Sequence, residues 1–227
     1  MASLRIRGVI LDVDGTLIDS NDAHARAWVD AFAEFEFDVP YERVRSLVGM
    51  GGDNLLPEAI HLEKDSPIGA ALSKRRGEIF EERYLGTINP FSGTRDLLKR
   101  MRDEGLKIAI GTSAQKKELE PLLKIADVTD LIDSRTSSDD AESSKPDPDI
   151  VEAALARLRL PAAEVLMVGD TPYDIEAAAR AGVRTVAFRS GGWTDRGLQG
   201  AIAVYAGPWD LLERFATSPF VAGGGRR

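Results

Sequence analysis

The spacing of apolar positions changes character twice along the chain. Near the N-terminus, "RGVILDV" (residues 7–13) is an almost continuous apolar run, the pattern of a strand buried on both faces. From about residue 20 to about residue 88 the spacing becomes helical, and no strand-like run interrupts it. Within "SNDAHARAWVDAFAEF" (20–35), Trp28, Phe32 and Phe35 recur at helical spacing, with Ser20 or Asn21 as the N-cap. Pro40 and Tyr41 open a short helix, "GMGGDN" (49–54) reads as a glycine-rich loop, and "AALSKRRGEIFEERYL" (70–85) as a long helix.

After residue 90 the two periods alternate. "GTRDLLKRMRDEG" (93–105) is an amphipathic helix closed by Gly105, and "LKIAIG" (106–111) is a strand. "KKELEPLLKIA" (116–126) is a helix begun or interrupted near Pro121, and "DLIDSRTS" (130–137) holds a short strand. The helices "DIVEAALARL" (149–158) and "YDIEAAARAG" (173–182) bracket the strand "EVLMVGD" (164–170). "RTVAFR" (184–189) is the last clear strand and "PWDLLERFA" (208–216) the last helix. Strands alternating with helices predict βαβ units and a parallel sheet. The expected fold is therefore α/β, a doubly wound Rossmann-like parallel sheet with an inserted all-helical cap. Residues 1–18 and 89–220 would form the core and 19–88 the cap, with 221–227 as a flexible, Gly-rich tail.

Composition narrows the function more than the fold. The 227 residues are 43% hydrophobic and 29% charged, which is globular rather than disordered. No apolar run approaches a bilayer span, and the opening "MASLRIRG" lacks the apolar stretch of a secretory signal. Cysteine is absent, which excludes disulfides, thiolate metal sites and a cysteine nucleophile, and fits a cytoplasmic location. A net charge of −8 without a basic patch argues against a nucleic-acid partner. The oligomeric state is not legible.

In an open α/β sheet, ligands bind beyond the carboxyl ends of the strands. Asp12, Asp14, Gly15 and Thr16 follow the first strand. Thr112 and Ser113 follow the second, Lys145 and Pro146 lie in the loop after "DLIDSRTS", and Asp170 and Asp174 follow "VLMV". Crowded carboxylates repel, so the cluster asks for a cation. Mg²⁺ takes oxygen ligands and is commonly held by carboxylates together with substrate phosphate oxygens. A carboxylate can act as a nucleophile, Lys can hold a phosphate oxygen, Thr can donate to another, and Gly15 would leave backbone N–H groups open to an anion. These features suit phosphoryl transfer on a small phosphorylated metabolite. A strand running into an ordinary Asp-Gly turn explains the first acids alone. A helix N-cap followed by a first-turn acid explains Asp170 and Asp174 alone. Neither explains the whole set.

"DVDGTL" (12–17), "IAIGTS" (108–113), "SSKPDP" (143–148) and "VGDTPYD" (168–174) resemble, in order, the four motifs of the haloacid dehalogenase-like hydrolase superfamily. The helical insert resembles the C1-type cap of its phosphatases and phosphosugar mutases. The resemblance implies Asp12 as nucleophile and Asp14 as general acid and base, with the Asp14 backbone carbonyl on the metal. It implies Thr112 and Lys145 on the phosphoryl group, Asp170 as a metal ligand, and Asp174 as a further acid of the metal site. The presence of Asp14 disfavours dehalogenation, and the D-x-D-G-T form disfavours phosphonoacetaldehyde hydrolysis. A phosphosugar mutase of the β-phosphoglucomutase type stays open, although "GMGGDN" carries no basic residue where that mutase has one. A non-catalytic phosphate-binding module would be expected to have lost Asp12 or Lys145. His24 is either part of the insert's own core or a residue brought to the site when the insert closes. The glycines at 49–52 either make a tight connection or let the loop approach the substrate.

Overall fold

The computed structural model describes residues 5–221. The first strand, β1 (Gly8–Leu11), is followed by the four helices of the insert, α1 (Asn21–Glu34), α2 (Tyr41–Leu47), α3 (Gly52–Ile60) and α4 (Pro67–Ile79). Helix α5 (Thr94–Asp103) leads to β2 (Lys107–Gly111), α6 (Lys116–Ile125) and β3 (Ser134–Thr136). Then come α7 (Asp149–Leu158), β4 (Val165–Gly169), α8 (Pro172–Arg180), β5 (Arg184–Phe188), β6 (Ala203–Tyr205) and α9 (Pro208–Glu213). All strands are parallel, in the order β3-β2-β1-β4-β5-β6. The sheet reverses direction of growth at β1 and β4, which is where a parallel sheet opens a crevice at its carboxyl edge.

Alternation along the strands divides the core. Val9 and Leu11 of β1, with Ile108, Ile110, Leu166 and Val168 of its neighbours, face a cluster that includes Leu97, Met101, Leu119 and Leu122 from α5 and α6. Ile10, Ala109 and Met167 face the other way, against Val151, Ala154, Ala177 and Ala178 of α7 and α8. Both faces are covered by helices, so every residue of β1 is buried, as its unbroken apolar run requires. The register pairs Leu11 with both Ile110 and Val168. Asp12 therefore leaves the sheet level with Gly111 and Gly169, and Thr112 and Asp170 follow one residue later on either side of it.

The four helices of the insert share a core of Trp28, Phe32, Leu55, Leu56, Leu72 and Phe80, continuous with the first sheet cluster. The two connecting segments run beside each other. The Asp19 N–H donates to the Asn89 carbonyl at 3.0 Å, and the Phe91 N–H to the Leu17 carbonyl at 3.0 Å. Among the described residues no helix is long and apolar enough to cross a membrane.

Several elements differ from the sequence expectation. Gly52–Asn54, read as loop, form the first turn of α3. The long helix of 70–85 begins earlier, at Pro67, where Ser66 caps it, and passes after Ile79 into a π-helical turn at Phe80–Tyr84. Pro121 does not interrupt α6. Strand β6 adds an element beyond the sequence expectation: it is a three-residue edge strand, too short to show a period. The tail expected at 221–227 lies from residue 222 onward outside the described residues, while Val221 packs against the core.

Candidate active site

Asp12 leaves β1 with its backbone N–H donating to the Val168 carbonyl at 2.9 Å, so the sheet ladder itself fixes its place. The residue as a whole is 7% exposed. The Lys145 ammonium, almost wholly buried, donates to Asp12 Oδ1 at 2.5 Å and pairs with Asp174 Oδ1 at 2.8 Å. Asp174 is the third residue of α8 and completes a capping box with Thr171: its Oδ2 accepts from the Thr171 hydroxyl at 2.7 Å and from the Thr171 N–H at 3.0 Å. Asp174 thus both caps its helix and orients Lys145. Close packing admits it: a Cβ on Gly169 would lie 2.4 Å from the Asp174 carboxyl carbon.

Asp170 follows β4 and is fully buried. Its two oxygens accept from the Thr16 hydroxyl and the Asn21 amide, each at 2.9 Å. Ligand oxygens of Asp12, Asp170 and Asp174 lie within 4.8 Å of one another. Burial pushes the Asp12 and Asp170 carboxyls above the ordinary carboxylate range; Lys145 opposes this at Asp12, and Asp174 adds to it at both. Burial alone would lower the Lys145 ammonium, but Asp12 and Asp174 outweigh it and hold the proton more tightly than usual. Of the three buried carboxylates, two share the one ammonium and Asp170 has no cationic partner among the described residues; their all-oxygen donor set suits a hard divalent cation.

Asp14 sits apart from that group. Its Oδ1 accepts from the Ser20 hydroxyl at 2.5 Å and lies 2.8 Å from His24 Nε2. Burial opposes its ionisation, yet His24, Ser20 and Arg76 together hold the carboxyl below its ordinary value. Ser20 occupies the N-cap position of α1, but its hydroxyl serves Asp14 rather than the helix. His24 is buried and stacks on Phe80 at 4.1 Å between ring centroids, so it belongs to the insert's core and touches Asp14 at once.

Thr112 is buried beside Asp12, and its Oγ1 accepts the Ala114 N–H at 3.1 Å, which leaves the hydroxyl hydrogen free to donate. Gly15 corrects the expectation placed on it. Its N–H donates to the Ile18 carbonyl at 2.8 Å and is not open to a phosphate. A glycine is needed there for another reason: φ is +74°, and a Cβ would fall 2.2 Å from the Asn21 amide nitrogen and 2.3 Å from Asp170 Oδ2.

Asp12, Asp14, Thr112 and Ser113 line one side of a cavity whose other side is the insert, with His24, Trp28, Gly49–Gly52, Leu55 and Arg76. The glycine loop approaches the sheet end closely. A Cβ on Gly51 would stand 2.1 Å from Ser144 Oγ, and one on Gly49 would stand 2.7 Å from Thr171 Cγ2. The following turn of α3 grips the lysine loop. Asp53 Oδ2 accepts the Ser144 N–H at 2.8 Å, and the Asn54 amide donates to the carbonyls of Ser144 at 3.0 Å and Lys145 at 3.2 Å. Arg76 and Glu118, unmarked in the sequence reading, form a buried ion pair at 2.9 Å across the cavity wall. Nothing in the helical pattern of 70–85 distinguished Arg76 from its charged neighbours; only the docking of α4 against α6 does.

The family model described as haloacid dehalogenase-like hydrolase matches residues 9–188. The chain is 31% identical to a phosphoglycolate phosphatase of Pectobacterium atrosepticum, over 82% of this chain and 81% of that one. It is 29% identical to an N-acetylmuramic acid 6-phosphate phosphatase of Pseudomonas aeruginosa, over 84% and 85%. Among solved structures, a hydrolase from Pseudomonas syringae superposes with a TM-score of 0.86 at 30% identity, covering 93% of this chain and 98% of that one.

Proposed function

The chain belongs to the haloacid dehalogenase-like hydrolases and is a phosphatase of that family; from that premise we propose that it hydrolyses a small phosphomonoester through a phospho-Asp12 intermediate, with Mg²⁺ as cofactor. The observation that carries the reading is Asp12 at the open end of β1, paired with Lys145 and bordered by Asp170, Asp174 and Thr112.

Asp12 attacks phosphorus, and the bond from phosphorus to the leaving oxygen breaks. Asp14, as the acid, gives a proton to that oxygen, which departs as an alcohol. Water then attacks the phospho-aspartate. Asp14 takes the water's proton, the bond from phosphorus to Asp12 breaks, and inorganic phosphate leaves. His24, against Asp14 Oδ1, orients that carboxyl and stands where it can exchange the proton. Lys145 and Thr112 hold phosphoryl oxygens. Asp12 and Asp170 would hold the cation, with the Asp14 carbonyl, and Asp174 would support it while fixing Lys145. When bound, the cation would neutralise phosphoryl charge and align the group with Asp12.

In this reading residues 19–88 act as a cap on a core of 1–18 and 89–220, hinged at Leu17–Asn21 and Ile88–Gly93. The protein works on a soluble metabolite in the cytoplasm. The test is turnover of p-nitrophenyl phosphate with and without Mg²⁺, together with acid-quench trapping of the labelled phosphoenzyme. Label on Asp12 in the wild type, and none in Asp12→Asn, is the expected result. Release of phosphate with no trapped label at any quench time counts against the covalent route. Conversion of β-glucose 1-phosphate to glucose 6-phosphate faster than to phosphate would favour a mutase.

A further inference from the structure

The cavity wall opposite Asp12 says something about what leaves with the phosphate. Arg76 and Glu118 are 9% and 8% exposed, and Arg76 Nη1 donates to Glu118 Oε2 at 2.9 Å. Arg76 also lies over the Trp28 ring, 5.2 Å from its centroid, so its guanidinium is pinned from a second side. Among the residues lining the cavity it is the one arginine, and no lysine lines it. Lys145 is engaged by two carboxylates behind Asp12, and His24 is engaged by Asp14. No cation is therefore left over for a second anionic group on the substrate, and Glu118 would repel one.

The same wall has hydrogen-bonding capacity to spare. Arg76, Glu118 and Ser113 line the cavity, and one polar atom of each, Nε, Oε1 and Oγ, is covered from solvent and has no partner among the described residues. The first is a donor, the second an acceptor and the third both. Unpaired buried polar atoms are costly, and a hydroxyl, which donates and accepts at once, is the group that relieves them.

We infer that the Arg76–Glu118 pair is a charge-neutral recognition element that selects phosphomonoesters whose leaving group carries hydroxyls and no second anion: polyol or sugar phosphates rather than phosphorylated acids. This rests on the phosphatase reading and narrows its substrate class. The discrimination expected is against phosphoglycolate, whose leaving group, glycolate, carries a carboxylate.

The experiment compares kcat/KM for glycerol 3-phosphate and phosphoglycolate, with p-nitrophenyl phosphate as a measure of site competence, in the wild type and in Glu118→Gln. A site built to pair a hydroxyl discriminates strongly against a ligand that lacks it. The wild type should therefore favour glycerol 3-phosphate by on the order of 100-fold. Glu118→Gln keeps the shape and frees the Arg76 charge, so the ratio should move toward phosphoglycolate by about tenfold or more. A wild-type ratio near one, or in favour of phosphoglycolate, overturns the inference while p-nitrophenyl phosphate turnover keeps the phosphatase reading intact. An unchanged ratio in a folded Glu118→Gln overturns the role of the pair. Absence of turnover on all three esters overturns both readings. The wild-type comparison stands alone if the variant does not fold.

Discussion

The strand ends and the helical insert build opposite sides of one cavity by different physics. On the sheet side, Asp12, Thr112 and Asp170 are each the first residue beyond a strand, and the pairing of Leu11 with Ile110 and Val168 sets Thr112 and Asp170 one residue beyond Asp12 on either side. Their separation is fixed by a backbone ladder, so like charges can be forced together and held. On the insert side, His24, Trp28 and Arg76 come from two helices whose place depends on side-chain packing and on a few contacts with the loop carrying Lys145. A rigid ladder suits the reacting groups, which need fixed geometry. A packed, hinged wall suits groups that must part to admit a substrate.

If that division is right, the largest effect should come from the sheet side. Asp12→Asn should cut turnover of p-nitrophenyl phosphate by on the order of 10⁴-fold or more, because no other carboxylate takes its place in line with phosphorus. Its melting temperature should stay close to that of the wild type, since Lys145 keeps Asp174. Activity within about tenfold of the wild type would break the comparison at its base.

The cation comes next. EDTA should abolish turnover and Mg²⁺ restore it. Mg²⁺ binding to the folded state alone should also raise the melting temperature. In Asp170→Asn that thermal shift should shrink or disappear, with activity playing no part in the measurement. An equal shift in both proteins would remove Asp170 from the ligand set.

The same division explains what the sequence could disclose. Asp12, Thr112, Lys145, Asp170 and Asp174 were legible because each follows a strand, opens the first turn of a helix beyond one, or sits in a loop between two, and the period of apolar residues marks those points. Gly15 was legible as a residue and not in its function. The D-x-D-G-T string shows a glycine, but only the fold shows Asp170 and Asn21 filling the space of its missing side chain. His24 stacks one ring face on Phe80 while its Nε2 meets Asp14, a double contact that helical spacing alone does not disclose. Arg76 and Glu118 lie 42 residues apart on helices rich in charge. No local pattern pairs them, because the pairing is a property of how α4 docks on α6.

That docking can be measured as stability. Arg76→Ala leaves Glu118 buried without its partner and should destabilise the fold by about 3–5 kcal/mol in urea unfolding. Replacing both with methionine should recover most of the loss, because a buried pair exchanged for apolar side chains of similar size is often close to neutral. If the double variant is as unstable as Arg76→Ala, the ion pair is a net support of the docked insert rather than a tolerated one, and the wall is stiffer than the comparison supposes.

The smallest effect sharpens the comparison most, because the same chemical change is made on both sides. Gly191→Ala places a methyl group 1.7 Å from Asp170 Oδ2, against a carboxylate already held by Thr16 and Asn21. Asp170 has nowhere to go except out of the cation site, so kcat and Mg²⁺ affinity should both fall. Gly51→Ala places its methyl group 2.1 Å from Ser144 Oγ and 2.3 Å from Asp53 Oδ1. There the obstacle is a small side chain on a loop and an acid on the insert itself, and the hinge lets the insert stand off by the width of the methyl group. The cost to folding should be about 1–3 kcal/mol, typical of overpacking at a contact that can relax. The kinetic signature should be a raised KM with kcat changed less, since the reacting groups on the strand ends are untouched and only the closing of the wall is hindered. Steady-state kinetics on the two alanine variants separates the cases. A Gly51→Ala enzyme that loses kcat as fully as Gly191→Ala does would mean that the insert positions the reacting groups as well as covering them.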